Sequence, residues 1–96
     1  MSQPKATRTV TVTNKEGVHA RAATLIAESV RRFDAKVVLG KGCERVEGTE
    51  VLQILSLGAA QGEQLLLEAT GQDAEHALEV LLQLFADHFS ENEQQT

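Results

Sequence analysis

Ninety-six residues, 42% hydrophobic and 24% charged, fit one folded domain spanning residues 1–96 and exclude a disordered chain. No apolar run approaches the ~20 residues of a membrane-spanning helix, and Met1 to Thr13 lacks a signal-peptide core, so a cytoplasmic protein without membrane attachment is expected. The net charge of −5 conceals an asymmetry: residues 1–45 hold all nine bases and four acids, whereas residues 46–96 hold ten acids and no base. There is no basic tract, and Phe33, Phe85 and Phe89 are the only aromatics, so no nucleic-acid partner is expected. The single cysteine, Cys43, allows no internal disulfide, and no zinc-type Cys/His spacing exists.

In chain order, residues 1–6 are polar and expected to be loose. Arg8 to Thr13 alternates and is rich in β-branched residues, which reads as a strand. Asn14-Lys15-Glu16-Gly17 follows as a turn. From Ala20 to Phe33 the apolar positions Ala22, Ala23, Ile26, Val30 and Phe33 recur at helical spacing. Ala35 to Leu39 is a short strand and Gly40-Lys41-Gly42 a tight turn. Cys43 to Val46 returns as a hairpin strand, with Cys43 packed as a small apolar group. Val51, Leu52, Leu55 and Leu57 mark a short helix closed by Gly58. Glu63 to Ala69 is the next strand. Asp73 is placed as the N-cap of a long amphipathic helix, whose stripe from Ala74 through Leu78, Leu81 and Phe85 to Phe89 faces the core. His76 and His88 on that helix have no apparent ligand partner and are expected as surface histidines, and residues 90–96 as an acidic tail. The order β-α-β-β-α-β-α, without long crossover repeats, predicts an α+β domain with an antiparallel sheet and its helices on one face.

Chemistry is expected in Gly17-Val18-His19-Ala20-Arg21-Ala22-Ala23, between the first strand and the first helix. His19 falls at or next to the N-cap. The first turn of a helix leaves backbone N–H groups unpaired and carries about half a positive charge, which suits an anion. The dipole and the Arg21 cation favour neutral imidazole, so a ring nitrogen stays available as a nucleophile. Arg21 can add its planar fork to a phosphate oxygen, and Gly17 lets the backbone turn. The pattern suits a histidine that accepts a phosphoryl group. It also suits a surface histidine at a helix start.

The segment Gly17-Val18-His19-Ala20-Arg21 resembles the Gly-Leu-His-Ala-Arg-Pro-Ala signature of the HPr family, the histidine-containing phosphocarriers of the bacterial sugar phosphotransferase system. Ser56-Leu57-Gly58-Ala59-Ala60-Gln61-Gly62 is similar to the family's Ser-Leu-Gly segment, which closes its second helix, and the resemblance spans about residues 8–89. It implies an open-faced sandwich of four antiparallel strands with three helices on one side. It implies that His19 is phosphorylated at Nδ1 by enzyme I using phosphoenolpyruvate, with Arg21 and the backbone of Ala20 and Arg21 holding the phosphate. The group then passes to an A-type component of a sugar permease. Such a protein is a monomeric carrier rather than a turnover enzyme, and needs no metal or other cofactor.

Three positions depart from the family pattern. Ala22 stands where the signature has proline; it keeps the helix and adds a free N–H, with a small stability loss and no loss of chemistry expected. Glu50, counted from both His19 and Ser56, occupies the place of a serine that a regulatory kinase phosphorylates in the Gram-positive branch. Its carboxylate serves helix electrostatics, or it partly imitates a phosphoserine close to His19. Glu28 replaces a position often basic in the family, which is expected to slow association. Val51 and Leu52 match the family's apolar docking patch unless both are core, and Arg31 and Arg32 end the first helix where cations favour its dipole. Beside phosphoryl carriage two other functions stay open. One is a regulator that reports phosphorylation state to a kinase or transcription factor; the other is an interaction domain without phosphochemistry.

Overall fold

The computed structural model describes residues 3–90. Seven elements follow one another: β1 (Lys5–Thr11), α1 (Ala20–Arg31), β2 (Lys36–Lys41), β3 (Glu44–Glu47), α2 (Val51–Ser56), β4 (Gln64–Thr70) and α3 (Ala74–Ala86). The strands form one antiparallel sheet in the order β1-β4-β2-β3. This is the expected β-α-β-β-α-β-α sandwich.

Alternation along the strands separates the two faces of the sheet. Ala6 lies opposite Ala69, Val10 opposite Leu65, and Leu39 opposite Leu67, and most of these side chains are buried under the helices. Thr7, Thr9 and Thr11 point to the other, open face. The helices complete the core with stripes at helical spacing: Ala22, Ala23, Ile26, Ala27 and Val30 from α1, Ile54 from α2, and Ala74, Ala77, Leu78, Leu81 and Phe85 from α3.

Several boundaries differ from the sequence reading. β1 starts at Lys5 rather than Arg8 and ends at Thr11 rather than Thr13, so residues 5 and 6 are paired strand rather than loose chain. Ala6 is buried, and the Gly71 N–H donates to the Pro4 carbonyl at 2.9 Å, which anchors the start of the strand. The hairpin also shifts along the chain. Gly40 and Lys41 are in the ladder, opposite Arg45 and Glu44, and the turn is Gly42-Cys43. Gly40 tolerates the ladder because the Arg45 side chain lies over it; a Cβ there would sit 2.7 Å from the guanidinium. Gly42 supplies the positive φ, 59°, that a two-residue hairpin turn needs. Cys43 is therefore exposed at the turn and does not pack as an apolar group.

The last helix ends at Ala86 rather than Phe89. His88, Phe89 and Ser90 turn left-handed at φ 51°, 53° and 63°. Such backbone costs about 1–2 kcal/mol per residue. Two contacts offset it: Phe89 is fully buried with its ring edge-on to Phe85 at 4.9 Å, and His88 shares a 2.9 Å hydrogen bond with the Thr13 hydroxyl. His88 is thus half-buried rather than at the surface, and His76 is exposed as expected, with the Phe33 ring edge-on at 5.0 Å. Asp73 occupies the N-cap of α3, but its carboxylate makes no cap bond. It accepts from the Asp34 N–H at 2.7 Å instead, tying the end of α1 to the start of α3. Apart from Ser90, the expected acidic tail lies outside the described residues.

Candidate functional site

His19 is the N-cap of α1, in extended backbone at φ −85° and ψ −178°. Its carbonyl accepts the first helical bond, from the Ala23 N–H at 2.9 Å. Its imidazole takes the part that Ser or Asp usually plays at this position. Nδ1 accepts from the Ala22 N–H at 3.2 Å. Ala20 and Arg21 supply the preceding two N–H groups, where a helix has no internal acceptor. Arg21 is exposed, and its guanidinium pairs with no carboxylate among the described residues.

The turn leading into His19 is held from two sides. Buried Asn14 donates from its side-chain amide to the Gly17 carbonyl at 2.6 Å, and the Gly17 N–H returns to the Asn14 carbonyl at 3.1 Å. On the other side the Val18 N–H donates to the Ala59 carbonyl at 3.0 Å. Gly17 has φ 69°, and a Cβ on it would lie 2.5 Å from the Ala59 oxygen. Only glycine fits there without a shift of the chain. The loop carrying Ala59 is fixed in turn by Lys41. Its ammonium donates to the Leu57 and Gly58 carbonyls at 3.0 and 3.2 Å and pairs with Glu63 at 3.0 Å. Glu63 accepts from the Ala60 N–H at 2.8 Å. That backbone N–H, with Lys41 beside it, holds the Glu63 carboxyl below its ordinary pKa.

The structure places the remaining residues from the sequence reading as follows. The Arg31 guanidinium, in the last turn of α1, donates to the Thr49 carbonyl at 2.6 Å. With Val18 bonded to Ala59 at the other end, α2 runs antiparallel to α1. Glu50 therefore lies beside the C-terminal end of α1, whereas His19 lies beside the chain that leaves α2. About 9 Å of helix separates those two ends of α2. The expected closeness of Glu50 to His19 is corrected accordingly. Glu50 holds the N-cap position of α2 without a side-chain cap bond. Val51 is half-buried against the core, and Leu52 is 81% exposed, so the two do not share one environment. Glu28 is exposed on α1. In sequence, Asn14 and Lys41 read only as turn residues and Glu63 only as the start of a strand; their bracing contacts appear only in the fold. Among the described residues no cluster of three His, Cys, Asp or Glu side chains could hold a metal, and no helix is long and apolar enough to cross a membrane.

An open-faced sandwich with a histidine capping its first helix defines a small class of proteins, and comparison with known proteins specifies it. The family model described as "PTS HPr component phosphorylation site" matches residues 6–87. The chain is 37% identical over 84 residues to phosphocarrier protein HPr of Treponema pallidum, covering 88% of this chain and 96% of that protein. It is 41% identical over 87 residues to phosphocarrier protein NPr of Escherichia coli K12, again covering 88% and 96%. The crystal structure of HPr-C-His from Thermoanaerobacter tengcongensis superposes with a TM-score of 0.85 at 32% identity, over 90% of this chain and 97% of that one. The chain belongs to the HPr family of phosphocarrier proteins of the phosphotransferase system.

Proposed function

We propose that the protein carries a phosphoryl group on His19, receiving it from phospho-enzyme I and delivering it to an A-type component of a sugar phosphotransferase system. The observation that carries this reading is the position of Nδ1 at the head of α1, where it accepts from the Ala22 N–H beside the first-turn N–H groups of Ala20 and Arg21. As Nδ1 forms its bond to phosphorus, the donor's bond to phosphorus breaks and that electron pair stays with the donor. The N–H groups of Ala20 and Arg21 and the Arg21 guanidinium face the charge of the phosphoryl oxygens. Transfer onward is the same exchange in reverse, so the protein is regenerated rather than acting as a turnover enzyme. Leu52, the exposed large hydrophobic side chain, is the docking anchor, with half-buried Val51 beside it.

A second reading is regulation by binding a kinase or transcription factor. It is favoured by two acids, Glu28 on α1 and Glu50 next to Leu52, both exposed. One experiment separates the readings. The protein is incubated with phosphoenolpyruvate and enzyme I and weighed intact at alkaline pH. A carrier gains one phosphoryl group that is lost in acid and absent in His19→Ala. A folded protein that gains nothing from its native enzyme I would overturn the carrier reading and leave a regulator or an interaction domain without phosphochemistry.

A further inference from the structure

We propose that the main-chain N–H of Ala22 is a positioning group for His19, holding Nδ1 before phosphorylation and passing to a phosphoryl oxygen afterwards. The inference rests on the reading of His19 as the phosphoryl acceptor and deepens it. Ala22 is the third residue of α1, and its N–H meets Nδ1 at 3.2 Å. A ring nitrogen that accepts a hydrogen bond carries a lone pair and no proton. The bond therefore selects the neutral tautomer with its proton on Nε2, which is the form able to attack phosphorus through Nδ1.

The same lone pair has to make the N–P bond, so the two uses exclude each other. When Nδ1 attacks, the electron pair shared with hydrogen becomes the N–P bond, and the donor's bond to phosphorus breaks with its pair leaving on the donor. The Ala22 N–H is then released. It has nowhere to retreat: Ala22 is fully buried, and the next N–H, of Ala23, is tied to the His19 carbonyl at 2.9 Å. A modest turn of the half-exposed ring brings a phosphoryl oxygen to the freed N–H. A neutral acceptor is replaced by an anionic one, and charge-assisted hydrogen bonds are about twice as strong as neutral ones. The exchange favours the phosphorylated protein. Proline, which the family signature carries here, has no N–H and offers neither bond.

The test removes the N–H in two ways. Ala22→Pro keeps a residue that a first helical turn accommodates. Replacing the Arg21–Ala22 amide by an ester, through ligation of residues 1–42 to 43–96 at Cys43, deletes the N–H without adding a ring. Phosphorylation by enzyme I is brought to equilibrium at fixed ratios of phosphoenolpyruvate to pyruvate and read by intact mass. Both variants should lower the ratio of phosphorylated to free protein about fivefold. Nitrogen NMR of the free protein should show the Nε2–H tautomer dominant in the parent and mixed tautomers in both variants. A purely structural role would move the urea midpoint and leave tautomer and equilibrium alone. Parent-like equilibrium in either variant overturns the inference while leaving phosphoryl carriage intact. A parent protein that takes up no phosphoryl group overturns both.

Discussion

Gly17→Ala is the sharpest test of how the site is held. Gly17 sits at φ 69°, and an added Cβ would be 2.5 Å from the Ala59 oxygen and 3.1 Å from the Ala60 Cα. Left-handed backbone costs alanine about 1–2 kcal/mol. Relief of the clash has to push the Ala59 carbonyl away from the Val18 N–H, straining a 3.0 Å bond worth about 0.5–1.5 kcal/mol. The total is about 2–3 kcal/mol, or roughly 10–20 °C in Tm for a domain of this length. Gly58→Ala is the internal control. Gly58 has φ 60° and nothing within 4 Å of an added Cβ, so it carries only the backbone cost. The difference between the two variants, about 1 kcal/mol or 4–8 °C, measures the close approach itself. Thermal and urea unfolding read both, and phosphorylation by enzyme I should slow in Gly17→Ala but not in Gly58→Ala. Equal destabilisation of the two would refute the argument that the 58–60 loop braces the turn before His19.

Three further predictions concern Glu63, Leu52 and Cys43. Glu63 has its carboxyl held low by the Ala60 N–H and by Lys41, so its ionised form stabilises the folded protein above the ordinary carboxylate range, and this contribution is lost as pH falls through the lowered value. Stability measured from neutral to acid pH should fall less steeply in Glu63→Gln, and a parent-like slope would contradict the contact. Leu52→Ala should change stability by no more than about 0.5 kcal/mol, since the side chain is 81% exposed, yet weaken partner binding in a titration; unchanged affinity would remove it as an anchor. Exposed Cys43 should react at once with a thiol reagent in the native protein, and Cys43→Ser should unfold at the parent's midpoint.

What could be read from the sequence follows from how local each signal is. The stripes of α1 and α3 and the capping position of His19 depend on neighbours three and four residues away, and they were legible. Strand ends depend on partners far along the chain. Lys5 and Ala6 look like a polar leader until Thr70 and Ala69 are set opposite them. Gly40 looks like a turn until Arg45 is laid across it. The left-handed turn at residues 88–90 has no local signature, because Thr13 and the buried pocket of Phe89 hold it. Lys41 was invisible as a brace for the same reason: its acceptors lie on Leu57 and Gly58. The place of Glu50 relative to His19 was set by the direction of α2, which no residue pattern encodes.

The charge asymmetry gains its meaning only from the topology. Bases crowd residues 1–45 and acids residues 46–96, which in a linear reading suggests two surfaces of opposite sign. The sheet instead sets β4, from the acidic half, between β1 and β2 from the basic half. Each of the ion pairs Arg8–Glu75, Lys36–Glu47, Lys41–Glu63 and Arg45–Glu68 joins one half to the other. Singly such surface pairs are worth about 0–1 kcal/mol, so they do not hold the fold. Their effect is on the field. They neutralise Arg8, Lys36, Lys41 and Arg45 and leave Arg21 and Arg31 on α1, and Arg32 at its C-cap, outside any such pair among the described residues. A chain of net charge −5 thus keeps one of these arginines, Arg21, in the first turn of the helix that His19 caps, where an anion approaching the head of α1 would meet it, while Arg31 lies at the far end of that helix on the Thr49 carbonyl.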